Sequence, residues 1–146
     1  MNICPCCKQK IRKLNPHRMD RQKVLVLEML AKLKHLGHEW VRVTEGREIV
    51  AGGRTYETAY LARVHANRLV WFGLAQHGPP RSAQYQITQI GEDFLLGRAS
   101  VPETIWCRDA EVFERSYKYV SIQDVKHVVL DKAYWDSYAL RQKKHF

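Results

Sequence analysis

Asn67-Arg68-Leu69-Val70-Trp71-Phe72-Gly73-Leu74 and Tyr85-Gln86-Ile87-Thr88-Gln89-Ile90-Gly91-Glu92-Asp93-Phe94-Leu95-Leu96-Gly97 are the most informative runs of this 146-residue chain. The first closes a helix read over residues 56–72, in which Ala59, Ala62, Ala66, Leu69 and Val70 form a small-residue face suited to close packing. Its other side carries Arg54, Thr58, Arg63, Asn67 and Arg68 with Tyr56 and Tyr60, and Glu57 as its one acid. Such side chains suit phosphates and base edges. Gly73 ends the helix, and Leu74-Ala75-Gln76-His77, Gly78-Pro79-Pro80-Arg81-Ser82 and Gln84-Tyr85-Gln86-Ile87 then read as strand, turn and returning strand. Thr88 is placed to cap a short helix over 89–96, with Ile90, Phe94 and Leu95 expected inward and Gly97 at its end.

Upstream, Val24, Leu27, Leu30, Leu33 and Leu36 recur every third residue, with Leu25, Val26 and Met29 widening the stripe to two faces. This predicts a strongly buried helix over 20–36, capped by Asp20 and ended at Gly37. Trp40-Val41-Arg42-Val43 alternates as a short strand does, and Thr44 can cap a brief helix that Gly52-Gly53 stops. Downstream, residues 104–107 and 117–122 are read as two strands separated by the charged stretch 108–115, and 131–141 as a final helix. The expected partition is an N-terminal basic arm or knuckle (1–19), a central domain (20–100), and a small β-plus-helix extension packed on it (101–146).

Helix, short helix, long helix, hairpin is the order of a winged helix-turn-helix domain, and the quoted runs resemble the recognition-helix exit, wing and closing helix of that superfamily. The whole chain also resembles small phage and prophage proteins that set a Cys-Pro-x-Cys knuckle before such a domain. The resemblance implies an α+β fold: a winged helix-turn-helix domain with an N-terminal cysteine knuckle and a short C-terminal β-hairpin plus helix. Winged domains bind DNA or other proteins, so it speaks more directly to fold than to function.

Charge gives the partner class. Twenty-four Lys and Arg against fifteen Asp and Glu make +9, and residues 1–23 hold seven of the basic side chains against Asp20 alone. This favours an anionic partner, with nucleic acid foremost. Composition, at 45% hydrophobic and 10% aromatic, argues against disorder, and no apolar run approaches a membrane span. The opening Met1-Asn2-Ile3-Cys4-Pro5 lacks a secretory layout, so a cytoplasmic location and reduced cysteines are expected.

Cys4 and Cys7 have the spacing with which two thiolates on a tight turn grip zinc; the remaining ligands stay open among Cys6, Cys107 and the histidines. No phosphate loop, dinucleotide fingerprint, His-Glu-x-x-His pair or Gly-x-Ser-x-Gly elbow is present, so no enzyme is expected. The favoured function is binding of double-stranded DNA as a phage-type transcriptional or replication regulator. Arg54, Thr58, Arg63 and Asn67 would enter the major groove, Arg81 would sit at the wing tip, and Lys8, Lys10, Arg12 and Lys13 would touch phosphates. The alternative is a winged-helix adaptor or inhibitor of a host or viral complex, and homodimerisation through the first or last helix stays open.

Overall fold

The computed structural model describes residues 13–43, 59–109 and 111–143, apart from the side chains of residues 59–62, 139, 142 and 143. Helix α1 (Arg21–His35) runs through the middle, and every residue from Lys23 to Leu33 is buried. A helix with no solvated side needs cover all round. That cover comes from helix α2 (Ala59–Trp71), strand β4 (Gln84–Ile87), helix α3 (Gln89–Leu95) and helix α4 (Lys132–Lys143). The Asp20 carboxylate caps α1 by accepting from the Lys23 backbone N–H at 3.1 Å, and Gly37 leaves the helix at φ +97°. Leu36, the last member of the expected apolar stripe, lies beyond the helix and is exposed.

Burying α1 also buries Lys23, Glu28 and Lys32, and each finds a partner. The Lys23 ammonium donates to the Arg18 carbonyl (2.6 Å) and to Asp20 (3.0 Å). Lys32 pairs with Asp131 at 2.8 Å. The Glu28 carboxylate accepts from the Asp131 backbone N–H and the Trp135 indole N–H, both at 2.9 Å. His35 completes the stripe, sharing hydrogen bonds with Tyr134 (2.6 Å) and Glu92 (3.0 Å) and stacking on Tyr138 with ring centroids 4.1 Å apart. Helix α4 is therefore held by a polar and aromatic seam. Burial raises the Tyr134 phenol pKa to about 12.

The other described residues are mixed α and β, with three small antiparallel sheets among them. Strands β2 (Val41–Arg42) and β3 (Ala75–His77) flank β4. Thr88 caps α3: its hydroxyl accepts from the Gly91 N–H (3.1 Å) and donates to the Gly73 carbonyl (2.9 Å). Phe94 and Leu95 plug the core beneath the hairpin, whereas Ile90, expected inward, is 53% exposed because it lies on the outer side of this short helix. Gly91 passes so close to the chain that a Cβ there would meet the Leu74 carbonyl oxygen at 2.2 Å.

The ends depart further from the sequence expectation. Residues 15–18, read as the end of the arm, form strand β1 (Asn15–Arg18), antiparallel to β6 (Thr104–Arg108). The charged stretch read as a connector contains β7 (Glu111–Arg115), which is the hairpin partner of β6. Of the strand expected over 117–122, only β8 (Tyr119–Val120) is formed; it pairs with β5 (Val101–Pro102) and is followed by a 3-10 turn, Ile122–Asp124. No helix among the described residues is long and apolar enough to cross a membrane.

Candidate functional site

The outward side chain of β2 meets the exposed side of α2 and the β3–β4 turn. In Val41-Arg42-Val43 the two valines are buried, which sends Arg42 outward. Opposite it, α2 presents Arg63, and the turn presents Arg81. Arg42, Val43, Arg63, Arg81, Ser82 and Ala83 enclose a cleft of about 320 Å³. A second cleft, of about 210 Å³, shares Arg63 and Arg81 with it and adds Asn67, His77 and Tyr85. Among the described residues, neither wall includes a carboxylate. Three guanidinium groups on a wall with no carboxylate among the described residues make a local positive potential, and their planar forks match phosphate oxygens.

The turn holds Arg81 in place through its own bonds. Gly78 N–H donates to the Gln84 carbonyl (2.9 Å), Ser82 N–H to the Pro79 carbonyl (3.1 Å), and the Ser82 hydroxyl to that carbonyl (2.6 Å). Arg81 and Ala83 adopt left-handed backbone angles, φ +64° and +54°, a conformation that costs a side-chain-bearing residue roughly 1–2 kcal/mol. Trp40 packs against the base of the turn, within 3.3 Å of where a Gly78 Cβ would lie.

The turn is also tied to the helix. Tyr85, in β4, is 2% exposed, and its phenol donates to Asn67 Oδ1. Burial raises the Tyr85 pKa, and the nearby Arg63 guanidinium opposes that shift.

Of the residues the sequence singled out, Arg63, Asn67 and Arg81 come together here. Lys13 is exposed next to β1 and lines neither cleft. Arg68 is half-buried and faces His17 and Lys23, which lie at the opposite end of α2 from Arg63. Arg54, Thr58, Lys8, Lys10, Arg12, Cys4 and Cys7 lie outside the described residues, as does the short helix expected after Thr44. Arg42 was missed, although the alternation at residues 41–43 already marked it as the outward residue.

Among the described residues, no cluster of three or more His, Cys, Asp and Glu side chains could hold a metal ion. Cys107 is buried in β6, and burial raises its thiol pKa, as befits a core residue. A further cleft, of about 830 Å³, lies at the start of α1 and has mixed charge; Glu103 pairs there with Lys118 (2.9 Å) and Arg18 (3.6 Å). The arginine clefts are thus the more strongly one-signed surface. No family model matches the sequence, and no curated protein or solved structure matches it at a significant level.

Proposed function

We propose that this chain binds double-stranded DNA as a winged helix-turn-helix protein, in the role of a phage-type transcriptional or replication regulator. The observation that carries this reading is the convergence of Arg42, Arg63 and Arg81 on a cleft with no carboxylate among its described residues, at the crease between a helix and a hairpin turn. In this reading α2 is the recognition helix, and the β3–β4 hairpin is the wing, with Arg81 near its tip. The +9 charge supports it by favouring encounter with a polyanion. Cys4 and Cys7 are proposed to grip zinc and shape the basic end that precedes β1.

The test is binding of the full chain to a random-sequence 20-base-pair duplex (length about two helical turns) over a salt series. Three phosphate contacts in the cleft alone give a slope of log affinity on log salt near −2.7, and six over the whole chain about −5.4. Arg42→Ala, Arg63→Ala and Arg81→Ala should each flatten the slope by about 0.9. Absence of binding at low salt refutes the reading.

A second reading is favoured by the exposed aromatics of the C-terminal extension. Phe113, Tyr117 and Tyr119 are 46%, 105% and 54% exposed, and aromatic residues are enriched in protein interfaces. A protein-binding adaptor would use them, and the same arginine variants would leave its partner affinity unchanged.

A further inference from the structure

We infer that Asn67 is a positioning residue which braces the hairpin against α2, so that the arginine crease takes phosphodiester oxygens while Asn67 reads no base. This rests on the DNA-binding reading above and assigns the part of the ligand recognised here: the sugar-phosphate backbone.

An asparagine that reads adenine presents its oxygen and its NH₂ together, edge-on to the base. Asn67 does not offer that edge. Its Oδ1 accepts from Tyr85, a residue buried in β4, and the Asn67 side chain is itself half-buried at the wall of the smaller cleft. Swinging the amide outward would break this bond and take from the buried phenol its acceptor on α2. Arg63, four residues before Asn67 on α2, stands close enough to the same phenol to oppose its pKa shift, so this tyrosine lies beside two neighbouring turns of α2. Arg63 in turn lines both clefts together with Arg81, which joins the brace to the cationic surface. The outward chemistry at this crease is then guanidinium, which suits phosphate oxygens.

The experiment uses the full chain and a pool of duplexes with a randomised core, selected on wild type, Asn67→Ala, Tyr85→Phe and the double variant. Selected pools are sequenced, and affinities and melting temperatures are measured. Tyr85→Phe removes one oxygen and keeps the packed ring, so it isolates the brace from the core. The expected result is that either single change weakens binding to all sequences by about fivefold, the effect of one ordinary hydrogen bond. The double variant should be no weaker than the singles, with base frequencies as in wild type. Asn67→Ala relaxing one base position by roughly tenfold or more, while Tyr85→Phe does not, overturns the inference and makes Asn67 a base reader. Unchanged affinity in both single variants also overturns it. Failure of the wild-type chain to retain any duplex at low salt refutes DNA binding itself, an outcome distinct from both.

Discussion

Replacing Trp135 separates what holds α4 from what binds a ligand. Its indole is 9% exposed, lies edge-on to Tyr134, Tyr138 and His35, and donates to Glu28, whose side chain is fully buried. Trp135→Phe keeps most of the ring and removes only the N–H, so Glu28 loses one of its two donors from this segment. A hydrogen bond to a charged group contributes about 1.5–3 kcal/mol. Trp135→Ala empties the site as well, and large aromatic truncations in cores cost about 3–5 kcal/mol. At about 3 °C per kcal/mol for a chain of this size, melting should fall by about 6 °C for Phe and about 12 °C for Ala. Calorimetry with parallel urea titration measures both, and duplex affinity at 20 °C (about 20 °C, well inside the folded range) should be unchanged in each. A Phe variant that melts with the wild type would refute the argument that the Glu28 bond fastens α4. A loss of DNA affinity in folded Trp135→Ala would instead mean that this seam shapes the binding surface.

Three further outcomes are expected. Gly91→Ala drives a methyl to 2.2 Å from the Leu74 carbonyl oxygen and 2.7 Å from Ile87, so α3 must move off the hairpin; the cost should reach about 3 kcal/mol in chemical denaturation, and a change under about 0.5 kcal/mol counts against this packing. The His17 pKa lies below 6.5 because burial, then Arg68, then Lys23 disfavour the imidazolium. The unfolded chain therefore binds the proton more readily: the His17 contribution is present above pH 6.5 and is lost as pH falls through the folded value. His17→Gln should flatten the decline in melting temperature between about pH 7.5 and 5, and parallel curves for variant and wild type would show that His17 is not its source. Elemental analysis of the purified chain should find zinc that Cys4→Ser with Cys7→Ser removes; equal metal content in both would exclude this pair as ligands.

The centre of the fold was legible because its signals are local. Asp20, Gly37, Thr88 and Gly97 punctuate helices through backbone groups within a few residues, and a period of three or four carries α1 and α2 without any knowledge of partners. The ends were not, because their pairing is set from far away. In β1, Asn-Pro-His-Arg has no alternation, and its register comes from residues 104–107. In β7, Glu-Val-Phe-Glu-Arg reads as solvated because it is an edge strand, where charge discourages further pairing. The α4 seam is built from Glu28, Lys32 and His35 on α1, side chains that a pattern search assigns to water. At the candidate site, Arg63 and Arg81 were found from their elements, whereas Arg42 needed the β2–β4 pairing to reach them. Asn67 was read as facing outward on the strength of helical spacing, and only the position of Tyr85 shows it turned to the strand.

The pairing of β1 with β6 also sets an order of events at the ribosome. Arg18 lies opposite Thr104 and Asn15 opposite Cys107, so β1, once synthesised, waits for about 90 further residues before its partner exists. At about 5–20 residues per second that interval is roughly 5–20 s, long compared with helix formation or collapse. Helices α1 and α2 and the hairpin can associate during it, but the lysine at the start of α1 that bonds the Arg18 carbonyl has no settled strand to hold until β6 has been made. Closure of the sheet is therefore a late event in biogenesis. A chain stopped short of β6 would present the β1 edge and the His17 side of the core to whatever lies nearby, which makes premature termination a route to aggregation rather than to a smaller working domain.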